Sequence, residues 1–89
     1  MNENVALAMR QVADKANEER EQASKIAAEQ WVENTVLPAI QQNAQRGEFH
    51  LDIHIPNNIH KSYAERYIAT GGFTIDQFRE YSRYIRISW

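Results

Sequence analysis

Two hydrophobic periods divide the chain. From residue 3 to about 46, apolar side chains recur every three or four positions among Glu, Gln, Arg, Lys and Ala, and no glycine intervenes before Gly47. This is the period and composition of an α-helix. Asn2 or Asn4 can cap its start, Glu3 suits its positive end, and Gly47 is a natural stop. Pro38 lacks an N–H and its ring meets the carbonyl of Asn34, so a kink or restart near 34–38 is expected, with Thr35 as a possible new cap. At about 100° per residue, Val5, Met9, Val12, Ala16, Ala23, Ala27 and Trp31 share one narrow face. Val32, Val36 and Ile40 then follow on roughly the opposite side, so the two ends of the helix are expected to bury different faces.

After Gly47 the period becomes two. Phe49, Leu51, Ile53 and Ile55 alternate with His50, Asp52 and His54, the pattern of a half-buried strand that Pro56 ends. Asn57 or Asn58 can cap a second helix with Ile59, Tyr63, Tyr67 and Ile68 inward, and Gly71-Gly72 stops it. Phe73 to Phe78 reads as a strand, Arg79 to Ser82 as a turn, and Tyr84 to Trp89 as a last strand. The expected class is α+β: a long N-terminal helix, kinked near Pro38, then a compact β-α-β-β unit with a three-stranded sheet and helices on one face. Trp89, Ile87, Ile85, Phe49, Leu51, Ile53, Tyr67 and Phe73 are the expected core.

The helix is longer than a small globule can absorb. About 44 helical residues would reach about 66 Å, whereas a globule of this length has a radius of gyration near 12 Å. Residues 1–30 are therefore expected to project as an oligomerisation helix from a compact unit at 31–89, the whole forming one domain. A stripe of Val5, Met9, Val12, Ala16, Ala23, Ala27 and Trp31 left in water would meet a copy of itself. Its alanines permit close approach, although the interruption at Glu19 and Arg20 argues against a strong two-stranded zipper.

Composition narrows the classes. The 89 residues include no cysteine, which excludes disulfides and thiolate zinc sites. Residues 1–48 carry a net charge of −3 and residues 49–89 of +1, too weak a polarity for a nucleic-acid footprint. The longest run without a charged residue, Asn34 to Gln45, is too short and too polar to span a bilayer, and Met1 to Val12 lack the basic start and apolar middle of a signal peptide, so neither is expected and the cytoplasm is the default location.

The end of the chain carries a resemblance. Trp31-Val32-Glu33, Leu37-Pro38-Ala39-Ile40, the alternating strand, Gly72-Phe73 and the closing Tyr84-Ile85-Arg86-Ile87-Ser88-Trp89 resemble small phage and prophage accessory proteins of Gram-positive hosts, over about residues 29–89. The resemblance implies a phage-type accessory protein that binds a host or phage protein in the host cytoplasm; binding to itself is expected from the helical stripe alone. It transfers no catalytic residue.

Candidate chemistry is sparse. His50, Asp52 and His54 fall on one strand face, where two imidazoles and a carboxylate could ligate a divalent metal, with His60 as a fourth donor. Same-face neighbours lie about 6.6–7 Å apart, which strains ligation by all three; a solvated strand face is the simpler reading. His50, His54, Arg83, Tyr84 and Arg86 could form a ligand or nucleic-acid face, against which stand the nearby Asp52, Asp76 and Glu80. The serines lack a G-x-S-x-G setting, and Gly71-Gly72 has no following Lys-Ser or Lys-Thr. No enzyme activity and no cofactor are expected. The leading expectation is a homo-oligomeric interaction protein; a nucleic-acid module or a small-molecule or metal binder at a protomer interface are the alternatives.

Overall fold

The computed structural model describes residues 3–79 and 82–89. Helix α1 spans Glu3–Trp31, a π-helical turn follows at Val32–Val36, and α2 runs Leu37–Gln45. Then come β1 (His50–His54), α3 (Lys61–Thr70), β2 (Thr74–Gln77) and β3 (Tyr84–Ser88). The α+β class with a three-stranded sheet is as the sequence predicts. The molecule measures 67 × 25 × 20 Å with a radius of gyration of 18.1 Å, well above the roughly 12 Å of a compact chain of this length.

Pro38 shapes the long helix differently from expectation. The chain does not restart on Thr35: no side chain caps α2, whose N-cap is Val36. Instead the backbone widens ahead of the proline, and the Leu37 N–H donates to the carbonyl of Val32. A wider turn makes room where a proline ring would crowd the carbonyl four residues back. The widening also sets which side chains are buried. Residues four apart advance by about 40° on a regular α-helix, so Ala28, Val32, Val36 and Ile40 would fan out over about 120°. A turn bonded i→i+5 rotates more slowly and offsets one of those steps. All four side chains are consequently buried in one core.

That core lies between the helices and one face of the sheet. Ile85 and Ile87 of the central strand are wholly buried, together with Ile55, Ala64 and Ile68. Leu51, Ile53, Tyr67, Phe73, Ile75 and Trp89 are packed against them. The strand order is β1-β3-β2, antiparallel throughout. Leu51, Ile87 and Ile75 form one inward row, and Asp52, Arg86 and Asp76 the adjacent outward row. Phe73 and Trp89 meet edge to face, ring centres 6.4 Å apart.

Several local expectations are corrected. Phe49 is 71% exposed rather than core, because the ladder begins at His50 and alternation does not constrain the residue before it. Its carbonyl accepts from the Trp89 N–H. The cap of α3 is His60, whose Nδ1 accepts from the Tyr63 N–H at 3.4 Å, and neither Asn57 nor Asn58. The Pro56 carbonyl already takes the Ile59 N–H, which turns the chain before the helix can begin. The second strand is shorter than Phe73–Phe78. The Arg79–Ser82 turn is closed by the Ser82 N–H on the Arg79 carbonyl; its two middle residues, like Asn2, lie outside the described residues. Gly47 ends α2 with φ at +83°, while the Glu48 N–H donates to Asn43 and the Gly47 N–H to Ala44, the paired bonds of a Schellman motif.

Candidate functional site

The predicted stripe divides into two parts. The helix engages α3 from Glu21 onward: Glu21 accepts from the Tyr63 hydroxyl at 3.1 Å, Lys25 lies over the Tyr63 ring, and Ala28 is fully buried. Ala27 and Trp31 are half-buried and pack against the molecule's own core. The free segment is therefore shorter than residues 1–30. Upstream, Val5, Met9 and Val12 are 43%, 60% and 62% exposed, Ala23 is exposed, and Ala16 is half-buried. Ile26, absent from the predicted stripe, is also exposed. Its signal was present in the spacing, since Ala23 and Ile26 continue the alternation of three and four that Val5, Met9 and Val12 begin.

The outer face of the sheet is the second candidate. His50, Asp52, His54, Tyr84 and Arg86 share it, as period two requires. Arg86 is committed within it. Its Nε and Nη2 donate to the two carboxylate oxygens of Asp52 at 2.7 and 3.0 Å, with Asp76 in register on its other side. The hydrogen bond from Arg86 holds the Asp52 carboxyl below its ordinary value of 3.8. The Arg86 guanidinium also lies over the Phe78 ring, 5.5 Å from its centre, and the His54 and Tyr84 rings are 4.8 Å apart. Among the described residues no group of three His, Asp or Glu side chains is placed to hold a metal ion.

A lowered carboxyl pKa stabilises the fold above the unfolded pKa, and that contribution is lost as pH falls through the folded value. Asp52→Asn is therefore expected to lower Tm slightly at pH 6 and to leave it unchanged near pH 2. Scanning calorimetry at the two pH values checks the sign; an equal loss at both would show that the pair acts through packing instead.

Arg83 does not belong to the outer face. Its Nε donates to the Ile55 carbonyl at 2.8 Å and its Nη2 to the Pro56 carbonyl at 2.6 Å and to the Ile59 carbonyl. The β1–α3 loop is thereby tied to the start of β3, beside a depression of about 440 Å³ between Asn57, Lys61 and Ser24. A second depression of about 410 Å³ lies on the outer face between Asp52, Phe78 and Tyr84. Sequence reasoning missed the role of Arg83 because its acceptors are backbone carbonyls, which no side-chain pattern announces.

On the helix side, Tyr67 donates to Glu33 in the π-turn, and that bond, ahead of burial, raises the phenol's pKa. No described helix is long and apolar enough to cross a membrane. Comparison with protein-family models, curated proteins and solved structures finds no match to this chain.

Proposed function

We propose that this chain is a non-enzymatic, homo-oligomeric protein–protein interaction protein whose N-terminal helix is the contact. One observation carries the reading. Val5, Met9 and Val12 stand exposed along one face of a segment of α1 that extends beyond the α3 contact. An isolated helix is marginal in water without packing, and apolar side chains gathered on one face gain about 25 cal/mol per Å² when covered. The resemblance to phage accessory proteins supports a further partner among host proteins in the cytoplasm.

The nucleic-acid alternative gains less support from the geometry. Arg86 is paired with Asp52 and lined up with Asp76, and Arg83 spends its donors on the loop. Neither presents a free guanidinium for phosphates.

Light scattering on the intact chain tests the proposal. A mass above that of the 10.4 kDa monomer is expected at micromolar concentrations. Met9→Asp should return the protein to monomer with its C-terminal unit folded, because the new charge would be buried only in the contact. A monomeric parent chain whose stability is unaffected by removal of residues 1–20 would overturn it.

A further inference from the structure

We propose that a second copy of this chain docks antiparallel along α1, so that residues 5–30 of the two helices lie against each other and each free segment covers its partner's residues 15–30. The inference rests on the oligomeric reading above and assigns its geometry. Val5, Met9, Val12, Ala16, Glu19, Ala23, Ile26 and Gln30 follow one another at alternating intervals of four and three, the spacing of a heptad seam. Val5, Met9, Val12 and Ile26 are its large exposed members. At about 100° per residue the seam lies roughly 150° round the helix from Ala28 and Glu21, which face α3. The molecule's own packing therefore leaves the whole seam free, including the stretch beside the compact unit.

Charge decides the orientation. In a parallel, in-register pair Glu19 would face Glu19 across the axis, and Lys15 would flank Arg20 of the other helix. Both contacts are repulsive, and the first is within the seam. In an antiparallel pair centred between Asn17 and Glu18, Met9 lies opposite Ile26, Val12 opposite Ala23, Ala16 opposite Glu19, and Val5 opposite Gln30. Glu19 then falls beside Lys15 of the second copy, twice over by symmetry. The positions flanking the seam include Ala6, Ala8 and Ala13, whose small side chains allow the helices to approach closely. This register covers all four large side chains; a shift of one heptad either leaves Ile26 uncovered or sets Arg20 against Arg20. The compact units come to lie at opposite ends of the assembly.

The absence of cysteine makes the test direct. Val12→Cys and Ala23→Cys chains are prepared separately, oxidised alone and after mixing, and the cross-linked peptides identified by mass spectrometry. Disulfides require α-carbons about 4.4–6.8 Å apart. In the proposed register two copies of residue 12 are eleven residues out of step, about 16 Å. The mixture is expected to yield at least tenfold more 12-to-23 cross-link than either variant yields with itself. Self-cross-linking of Val12→Cys alone, matching the mixture, would overturn the antiparallel orientation, as would a dimeric mass with no cross-link in the mixture. A monomeric mass for the parent chain would instead overturn the oligomeric reading beneath it.

Discussion

Replacing Ile87 by Ala is expected to destabilise the protein by about 2–5 kcal/mol. Ile87 is wholly buried on the central strand, with Leu51 and Ile75 as its register partners on either side. The cavity would therefore open where both neighbouring strands and the helical layer converge. A domain of this size has about 5–10 kcal/mol of stability in all, so the change removes a large share of it. Removing residues 87–89 is more severe. It deletes Ile87, takes Trp89 from Phe73, and strips the end of the only strand that both others pair with. The truncated chain is expected to lose the cooperative transition of the C-terminal unit while the free helical segment keeps much of its helicity. Denaturant titration followed by tryptophan fluorescence and circular dichroism measures both effects. An unchanged midpoint for Ile87→Ala would contradict the central placement of β3. Ser88→Ala is the control: Ser88 faces the opposite side, half-exposed, and should shift the midpoint little.

The sheet was legible because alternation leaves little freedom. Once Ile85 and Ile87 point inward, Tyr84, Arg86 and Ser88 must point outward, and a slip of one residue would invert all of them. Strand order was not legible, since nothing local chooses between a β1 neighbour and a β2 neighbour for β3. The pairing of Asp52 and Asp76 with Arg86 is intelligible only once β3 is central. Phe49 shows the limit of alternation, which applies only within the ladder.

The helix was legible as an element and misleading as a set of faces. Val32, Val36 and Ile40 stand opposite the upstream stripe on a regular helical wheel, which suggested two buried faces. The π-turn instead aligns these three with Ala28 in a single core, and the upstream stripe remains bare. A helical wheel assumes a constant turn per residue, and a proline is the signal that the assumption fails locally. Ala27 and Trp31 lie at the edge of the stripe nearest the side of Ala28, and there they border the core rather than the free surface. Ile26 completes a seam that a narrow 100° arc excludes and a repeat of 3.5 residues includes. The free surface is therefore better described by the spacing of its large side chains than by their angular average.

Arg83→Ala is expected to cost about 2–4 kcal/mol, as much as a large core truncation, although it removes no apolar side chain. The guanidinium serves the carbonyls of Ile55, Pro56 and Ile59 together, and a hydrogen bond from a charged donor contributes about 1.5–3 kcal/mol net, though three bonds to one group do not add in full. Its own backbone closes the same junction, since the Arg83 carbonyl accepts from the Ile55 N–H at 2.8 Å. Those carbonyls flank Ile55 and Ile59, both buried, so loosening the loop would expose core side chains as well as unpaired acceptors. The fork geometry matters in addition to the charge. Arg83→Lys keeps one cation but cannot span three carbonyls in a fixed plane, and it should recover less than half of the loss. Had Arg83 been a surface ligand group, both variants would leave stability unchanged and alter binding alone. Equilibrium unfolding of the two variants separates these outcomes, and amide exchange at Ile59, expected to quicken in both, locates the damage in the β1–α3 loop.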